Sequence, residues 1–269
     1  MVIELDERYK LNRYVRPTDA NRSAVDFSLF EITVCPSCLF AAQDSGFNYL
    51  DSAALPPKWR DQKYLKVTDA HRKAMQEDFP ARAELAQAAG EGGRRLFTVE
   101  RTPEDAAVAI EIAAHCLGTL RELAQGDEKH ILTYKKGVLF LMKAKQYESM
   151  LGDLEDPDEQ EACKRKRLGA LALALEEFKD VEGTKLDALG FRAITTYYVQ
   201  KFWAADELGD VEARTGASGA ICQSYDRYCI RDKDKTPVDV KRTAKWGRDL
   251  IEFRIYELSK EKEAASGDG

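Results

Sequence analysis

From Thr102 onward the sequence consists of long segments rich in Ala, Leu, Glu and Lys, separated by short breaks that carry Gly, Asp or Pro. These four residue types favour helix, and each segment is far longer than a typical strand. The chain has only 17 glycines and 8 prolines in 269 residues, so few positions interrupt regular structure. The pattern predicts a mainly α fold in which successive antiparallel helices form a bundle or a tetratricopeptide-like array.

The first helix of this series has the clearest beginning. Thr102 can cap free backbone N–H groups, and Pro103 suits the first helical turn. Further helices are expected at about 128–150, 158–179, 185–208 and 211–228, and from 237 to about 260. Small residues that would permit close helix approach are Gly118, Ala144, Gly169 and Gly190.

The chain is expected to divide into a small N-terminal cap over 1–101, a helical array over 102–260 and a disordered tail over 261–269. Within the cap, the run Phe27–Val34 is rich in aromatic and β-branched residues and predicts one strand of a strand pair. The turn Cys35–Cys38 ends that strand.

A helix is expected from Trp59 or Tyr64 to Phe79, and beyond it Gly90–Gly93 predicts a flexible loop.

Two arginines follow this loop, and a later helix carries a cluster of aromatic residues. The candidates for partner binding among them are Arg94, Arg95, Tyr197 and Trp203. Arginine on a mobile loop can reach the nucleotide of a partner, but loop arginines are more often simply solvated. Aromatic residues can anchor an interface, but spread around a helix they more often form core.

The composition limits the class of protein. The formal net charge of −6 argues against a chain that binds nucleic acid electrostatically as a whole. The N-terminal residues alternate in charge and do not form a signal peptide, and no stretch reaches the ~20 apolar residues that span a bilayer. The 6 cysteines are expected to be reduced thiols of a soluble, cytoplasmic protein.

Sequence motifs for catalysis or for cofactor binding do not occur. Gly90–Gly93 lacks the Lys-Ser/Thr of a phosphate loop, and no Gly-x-Gly-x-x-Gly follows a predicted strand. A Gly-x-Ser-x-Gly elbow and a His-Glu-x-x-His pair are also missing. We therefore expect no catalytic residues, no cofactor and no enzymatic activity, and a protein that works by binding other proteins.

Cys35 and Cys38 have the two-residue spacing of a zinc-binding turn, but a structural zinc needs four ligands and no second pair is evident. The motif also differs from a redox dithiol, because no βαβ pattern follows it. The two cysteines are weak candidates for a metal site, and we expect that no metal is bound.

Two segments carry a resemblance to a known family. The run from Phe27 through Cys35-Pro-Ser-Cys38 to Phe47, together with Leu96–Ala106, resembles a bacterial family catalogued as domain of unknown function number 2225. Members typically have a Cys-Pro-x-Cys-Gly run followed by tetratricopeptide-like helices. In this chain the glycine after the second cysteine is replaced by Leu39, and no cysteine precedes Cys35, which argues against a metal knuckle.

The resemblance implies a function. One branch of the family acts with a Ras-like polarity GTPase (MglA-like) and a roadblock-domain protein (MglB-like), so it implies a regulator of GTP hydrolysis in cell polarity and gliding motility, placed at a cell pole. The alternatives are a general helical-repeat adaptor and, from another class, a zinc or thiol protein that uses Cys35 and Cys38.

Overall fold

The computed structural model describes residues 2–5, 11–15, 27–43, 68–98, 100–181, 186 and 189–267. The chain divides into two compact units, Met1–Val181 and Glu182–Gly269. The expected helix start at Trp59 or Tyr64 lies outside the described residues.

The first unit contains two small antiparallel strand pairs. Strand β1 (Val2–Leu5) pairs with β2 (Leu11–Val15), and β3 (Ile32–Val34) pairs with β4 (Ala41–Gln43). The expected strand pair in the N-terminal part is therefore confirmed.

The strand expected over Phe27–Val34 is shorter than predicted, because Phe27–Phe30 forms a 3-10 turn. The guanidinium of buried Arg101 holds this turn. Its Nη1 donates to the carbonyl of Leu29 at 3.0 Å and to that of Ile32 at 2.8 Å. Arg101 lies about seventy positions after the turn in the sequence, so local sequence patterns do not predict this contact.

Eight helices follow in the described part of the chain. In the first unit they are α1 Asp69–Glu77, α2 Phe79–Gln87, α3 Pro103–Leu123, α4 Asp127–Leu151 and α5 Pro157–Lys179. In the second unit they are α6 Phe191–Leu208, α7 Val211–Tyr225 and α8 Val238–Gly267, with a π-helical turn Asp226–Arg231 after α7. The mainly α fold is confirmed, and α8 includes most of the segment 261–269 for which a disordered tail was expected.

Helix α3 begins as its sequence predicts. The Thr102 hydroxyl accepts from the backbone N–H of Asp105, and the Asp105 carboxylate accepts from that of Thr102, so the two residues form a capping box. The buried side of α3 is built mainly from alanine, which lets other elements approach closely. Strands β3 and β4, helices α1 and α2, and helix α4 all pack on it.

Helices α3, α4 and α5 form a layered array in which α4 contacts both neighbours. A carboxylate fastens the three together, because Glu177 on α5 lies 2.7 Å from Arg121 on α3 and 2.6 Å from Lys136 on α4. In the second unit α6, α7 and α8 each contact the other two and form a three-helix bundle. The helices of the first unit therefore form an array, and those of the second unit form a bundle.

The close helix contacts occur at glycines other than those expected. A Cβ on Gly137 of α4 would lie 2.4 Å from the Phe178 ring of α5, and one on Gly247 of α8 would lie 2.5 Å from Thr195 of α6. At Gly169, by contrast, a Cβ would meet no atom within 4 Å.

Candidate functional site

The Cys-Pro-Ser-Cys segment forms the tight turn that joins β3 to β4. The Leu39 N–H donates to the carbonyl of Cys35 at 2.9 Å, and the Cys35 N–H donates to the carbonyl of Phe40 at 2.8 Å. Leu39 has a φ of 56°, which lies in the left-handed region that favours glycine. The turn therefore has the backbone that a glycine would adopt, with a leucine in its place.

The environment of the two thiols differs. Burial raises the pKa of Cys35, but the backbone N–H groups of Cys38 and Ser37 and the Cys38 thiol donate to its sulfur and bring the net pKa below its usual value. Burial raises the pKa of Cys38, and its proximity to the Cys35 thiol acts in the same direction. Cys35 is therefore the more acidic thiol of a hydrogen-bonded pair.

Cys35 and Cys38 could supply two of the four ligands that a structural zinc requires. Among the residues that the structure describes, no group of three or more His, Cys, Asp or Glu side chains is arranged to hold a metal ion. Nearby Cys116 is buried on α3, and its sulfur accepts a hydrogen bond from the Ala41 N–H. Burial raises the pKa of Cys116 to about 11, so it remains a protonated thiol near neutral pH.

A buried arginine anchors the turn to the helices. Arg82 is only 1% exposed, and its guanidinium donates to the carbonyl of Cys38 through Nη2 at 3.2 Å. Its Nη1 also lies 2.8 Å from the carboxylate of Asp78. Helix α2 therefore holds the Cys-Pro-Ser-Cys turn in place through one charged side chain whose donors are directed at fixed acceptors.

Asp78 connects this arginine to α3. Nε2 of His115 lies 2.8 Å from its Oδ1, and the Thr119 hydroxyl donates to its Oδ2 at 3.0 Å. Burial raises the pKa of Asp78, but hydrogen bonds from His115 and Thr119 outweigh it and bring the pKa below its usual value. The Thr119 hydroxyl also lies 3.3 Å from the backbone carbonyl of His115, one turn earlier in α3.

Sequence reasoning missed this polar cluster of Asp78, Arg82, His115 and Thr119. The four-residue spacing of Asp78 and Arg82 was its one local signal. His115 lies on α3 next to fully buried Cys116, and its own side chain is 35% exposed.

The Gly90–Gly93 segment forms ordered turns, which corrects the flexible loop expected there. The Gly90 N–H donates to Oδ1 of Asp105 at 2.7 Å, and Asp105 is 2% exposed. The Gly93 N–H donates to the carbonyl of Ala89 at 3.0 Å, with Gly93 at a φ of 95°. The segment is thereby fixed to the N-terminus of α3.

The two arginines after this segment have different roles. They lie in a 3-10 turn, Arg94–Phe97. Arg95 folds back across Gly90, where an added Cβ would come within 2.6 Å of its Cδ, and its Nε lies 3.7 Å from a carboxylate oxygen of Glu91. Arg94 is exposed, and Phe97 is 45% exposed. Because residues three apart share a face of a 3-10 helix, these two form one exposed patch, called here the Arg94–Phe97 patch.

Tyr197 and Trp203 lie in the interior, where they do not serve as exposed anchors. Tyr197 is 1% exposed, and burial raises its pKa. Trp203 is 8% exposed and packs in the bundle core with Val199, Phe202 and Ile251. Aromatic residues occur on several sides of α6 because this helix packs closely against its neighbours.

Comparison of the chain with protein-family models, with curated proteins and with solved structures gave no match. The resemblance to family 2225 therefore stays a prediction, and so do the GTPase and roadblock partners. In the described part of the chain, no helix combines the length and the apolar character that crossing a bilayer requires.

Proposed function

We propose that this chain is a regulatory protein-binding module that, together with a roadblock-domain partner (MglB-like), stimulates GTP hydrolysis by a Ras-like polarity GTPase (MglA-like). The basis for the choice of partners is the sequence resemblance to the branch that contains the myxobacterial polarity protein RomY. The observation that supports a binding role is the Arg94–Phe97 patch, in which a cation and an apolar ring are exposed on an ordered turn.

The mechanism requires a shaped surface and no active site on this chain. The phosphate loop, the magnesium ion and the residue that positions water belong to the GTPase. A helper that binds the competent arrangement of the switch loops more tightly than the other arrangements increases the population of the competent one. The 3-10 turn that carries the patch is held by buried Arg101, whose Nη2 donates to the carbonyl of Leu96. A turn held in this way loses little conformational entropy on binding, which suits this role.

The structure separates the two candidate arginines. Arg95 is packed against Gly90, so its expected role is to hold the turn. Arg94 is exposed, so it is the arginine that a partner can contact, with Phe97 as an apolar anchor beside it. We favour binding of the switch loops over an arginine finger, which would add a factor of about 10³ or more in rate.

The test is GTP turnover by the GTPase with this protein, with the roadblock protein and with both. We expect stimulation only with both. Arg94→Ala and Phe97→Ala should raise the concentration needed for half-maximal stimulation about tenfold or more, the effect of a hot-spot residue. Maximal turnover should be kept. Arg165→Ala, at an exposed position on α5, is the matched control and should change nothing.

Three outcomes would contradict parts of the proposal. Full stimulation by this protein alone would refute the joint mechanism. Loss of maximal turnover in Arg94→Ala, with binding intact, would establish an arginine finger in place of surface binding. Absence of the GTPase from nucleotide-dependent pull-downs, with other proteins retained, would favour the general adaptor.

A second candidate function, a thiol or zinc site, is favoured by the lowered pKa of Cys35 and its N–H donors. The measurements are the zinc content of protein purified without chelator and the rate at which each thiol reacts near neutral pH. Zinc that is lost in Cys35→Ser/Cys38→Ser would support a metal site. Zinc-free protein in which Cys35 reacts faster than exposed Cys222 would support a thiol site. Zinc-free protein with equal rates would contradict both.

A further inference from the structure

The C-terminal half of α8 has an exposed stripe opposite its buried side. Ile251 is fully buried in the bundle, whereas Phe253 is 71% exposed and Tyr256 is 55% exposed. Asp249 and Lys260 are also exposed, and the Lys260 ammonium lies 4.6 Å from the centroid of the Tyr256 ring. The four residues, called here the α8 stripe, therefore place two apolar rings between an acid and a base on one helix face.

The spacing of the α8 stripe is that of a coiled-coil seam. The intervals between Asp249, Phe253, Tyr256 and Lys260 are four, three and four residues, which are the intervals of alternating d and a positions. Such a seam is expected to pack against a second helix. The stripe is on the side of α8 opposite the core of its own bundle, so the helices of that bundle do not cover it. A second copy of the chain can supply the helix that does.

The sequence of the stripe is complementary to itself in the antiparallel direction. A two-fold axis between Arg254 and Ile255 places Asp249 opposite Lys260 of a second copy, and Phe253 opposite Tyr256 of that copy. The same operation repeats both pairs on the other side of the axis. The two Phe253–Tyr256 pairs therefore lie in the middle of the contact, with one Asp249–Lys260 pair at each end. A parallel pairing would instead place like charges opposite each other, which costs energy.

We propose that two copies of this chain associate through antiparallel α8 helices, with the α8 stripe as the interface. The contact runs about 16 Å along each helix, so it is smaller than the ~800 Å² per partner of a standard stable interface. The dimer is therefore weak and forms as the protein concentration rises. Its flanking ion pairs are exposed and make it weaker at high salt.

The experiment measures the mass of the full chain by sedimentation equilibrium over a dilution series. We expect the average mass to rise from 30.3 kDa towards twice that value, and Phe253→Asp to abolish the rise. Ile230→Asp is the matched control, because Ile230 is a similarly exposed apolar residue in the same unit but outside the stripe. Circular dichroism of each variant verifies that it is folded.

Exchange of the charges tests the direction of pairing. Asp249→Lys and Lys260→Asp each place like charges opposite each other, and each should raise the dissociation constant about threefold or more. The double variant restores opposite charges and should restore the wild-type constant. A protein that is monomeric at every concentration would overturn the proposal. So would a dimer that Phe253→Asp leaves intact, or one that the single charge variants leave unchanged.

Discussion

At the scale of single residues, Leu39 stands out because its backbone and its side chain have opposite requirements. Its φ of 56° suits glycine, whereas its apolar side chain is buried. Left-handed backbone costs a residue with a Cβ about 1–2 kcal/mol. Burial of a leucine side chain contributes about 1.5–3 kcal/mol and offsets that cost.

This conflict predicts a reversed order of two substitutions. Leu39→Ala loses the packing and keeps the strained backbone, whereas Leu39→Gly loses the packing and relieves the strain. We expect the glycine variant to be more stable than the alanine variant by roughly 1 kcal/mol, measured by urea unfolding. Ala41→Gly in strand β4 is the control and should be destabilising, as glycine is in an ordinary strand. Equal stability of the two Leu39 variants would show that the turn adjusts its backbone.

At the scale of elements, the contact between α4 and α5 depends on Gly137. This glycine is buried against the ring of Phe178, which is itself fully buried. The ring occupies the space that a Cβ would take, with 2.4 Å between the two positions. The absence of a side chain therefore sets how closely the two helices approach.

Two glycine-to-alanine substitutions should have opposite effects on stability. Gly137→Ala improves helix propensity but overpacks the interface, and we expect a net loss of about 1–3 kcal/mol. Gly169→Ala, on the open face of α5, gains propensity without a clash and should stabilise by up to about 1 kcal/mol. Urea unfolding of the two variants measures both effects. A stable Gly137→Ala protein would mean that the Phe178 ring moves aside at little cost.

The elements also show which parts of the fold the sequence predicts. The start of α3 depends on Thr102 and its near neighbours, so the sequence was sufficient to place it. Gly137 and Gly169 are both helical glycines, and only the partner across the helix pair distinguishes them. The same holds for Tyr197, whose burial depends on tertiary packing that helical periodicity alone did not settle.

The candidate site was predicted in part. The turn at Cys35 and Cys38 and the exposure of Arg94 followed from sequence patterns. The buried Arg82 beneath the turn did not, because it acts on a carbonyl forty-four residues earlier in the chain. A lone arginine in a helix gives no sign of such a contact, so positioning residues of this kind become visible only in the folded structure.

At the scale of the whole molecule, each unit contains a carboxylate that links separate elements. In the first unit Asp78 contacts Arg82 and His115. In the second unit Asp206 on α6 lies 2.8 Å from both Arg214 on α7 and Arg254 on α8. Burial raises the pKa of Asp206, but hydrogen bonds from the two arginines outweigh it and lower the net pKa. Both units therefore depend on a carboxylate that must remain ionised.

The sign of the pH dependence follows from these lowered pKa values. A carboxylate whose pKa is lower in the folded than in the unfolded state contributes stability above its unfolded value, about 3.9 for aspartate. That contribution is lost as the pH falls through the folded pKa. We expect the free energy of unfolding of the whole protein to fall steeply below about pH 4.

Asp206→Asn should destabilise the protein at pH 7 by about 2–3 kcal/mol, because two partly buried arginines lose their counter-charge. The same variant should lose less further stability between pH 5 and pH 2 than the wild type, since it has no carboxylate there to protonate. Asp234→Asn, at an exposed position of the same unit, is the control and should follow the wild-type curve. Urea unfolding at a series of pH values measures all three proteins, and an Asp206→Asn curve parallel to that of the wild type would show that acid sensitivity arises elsewhere.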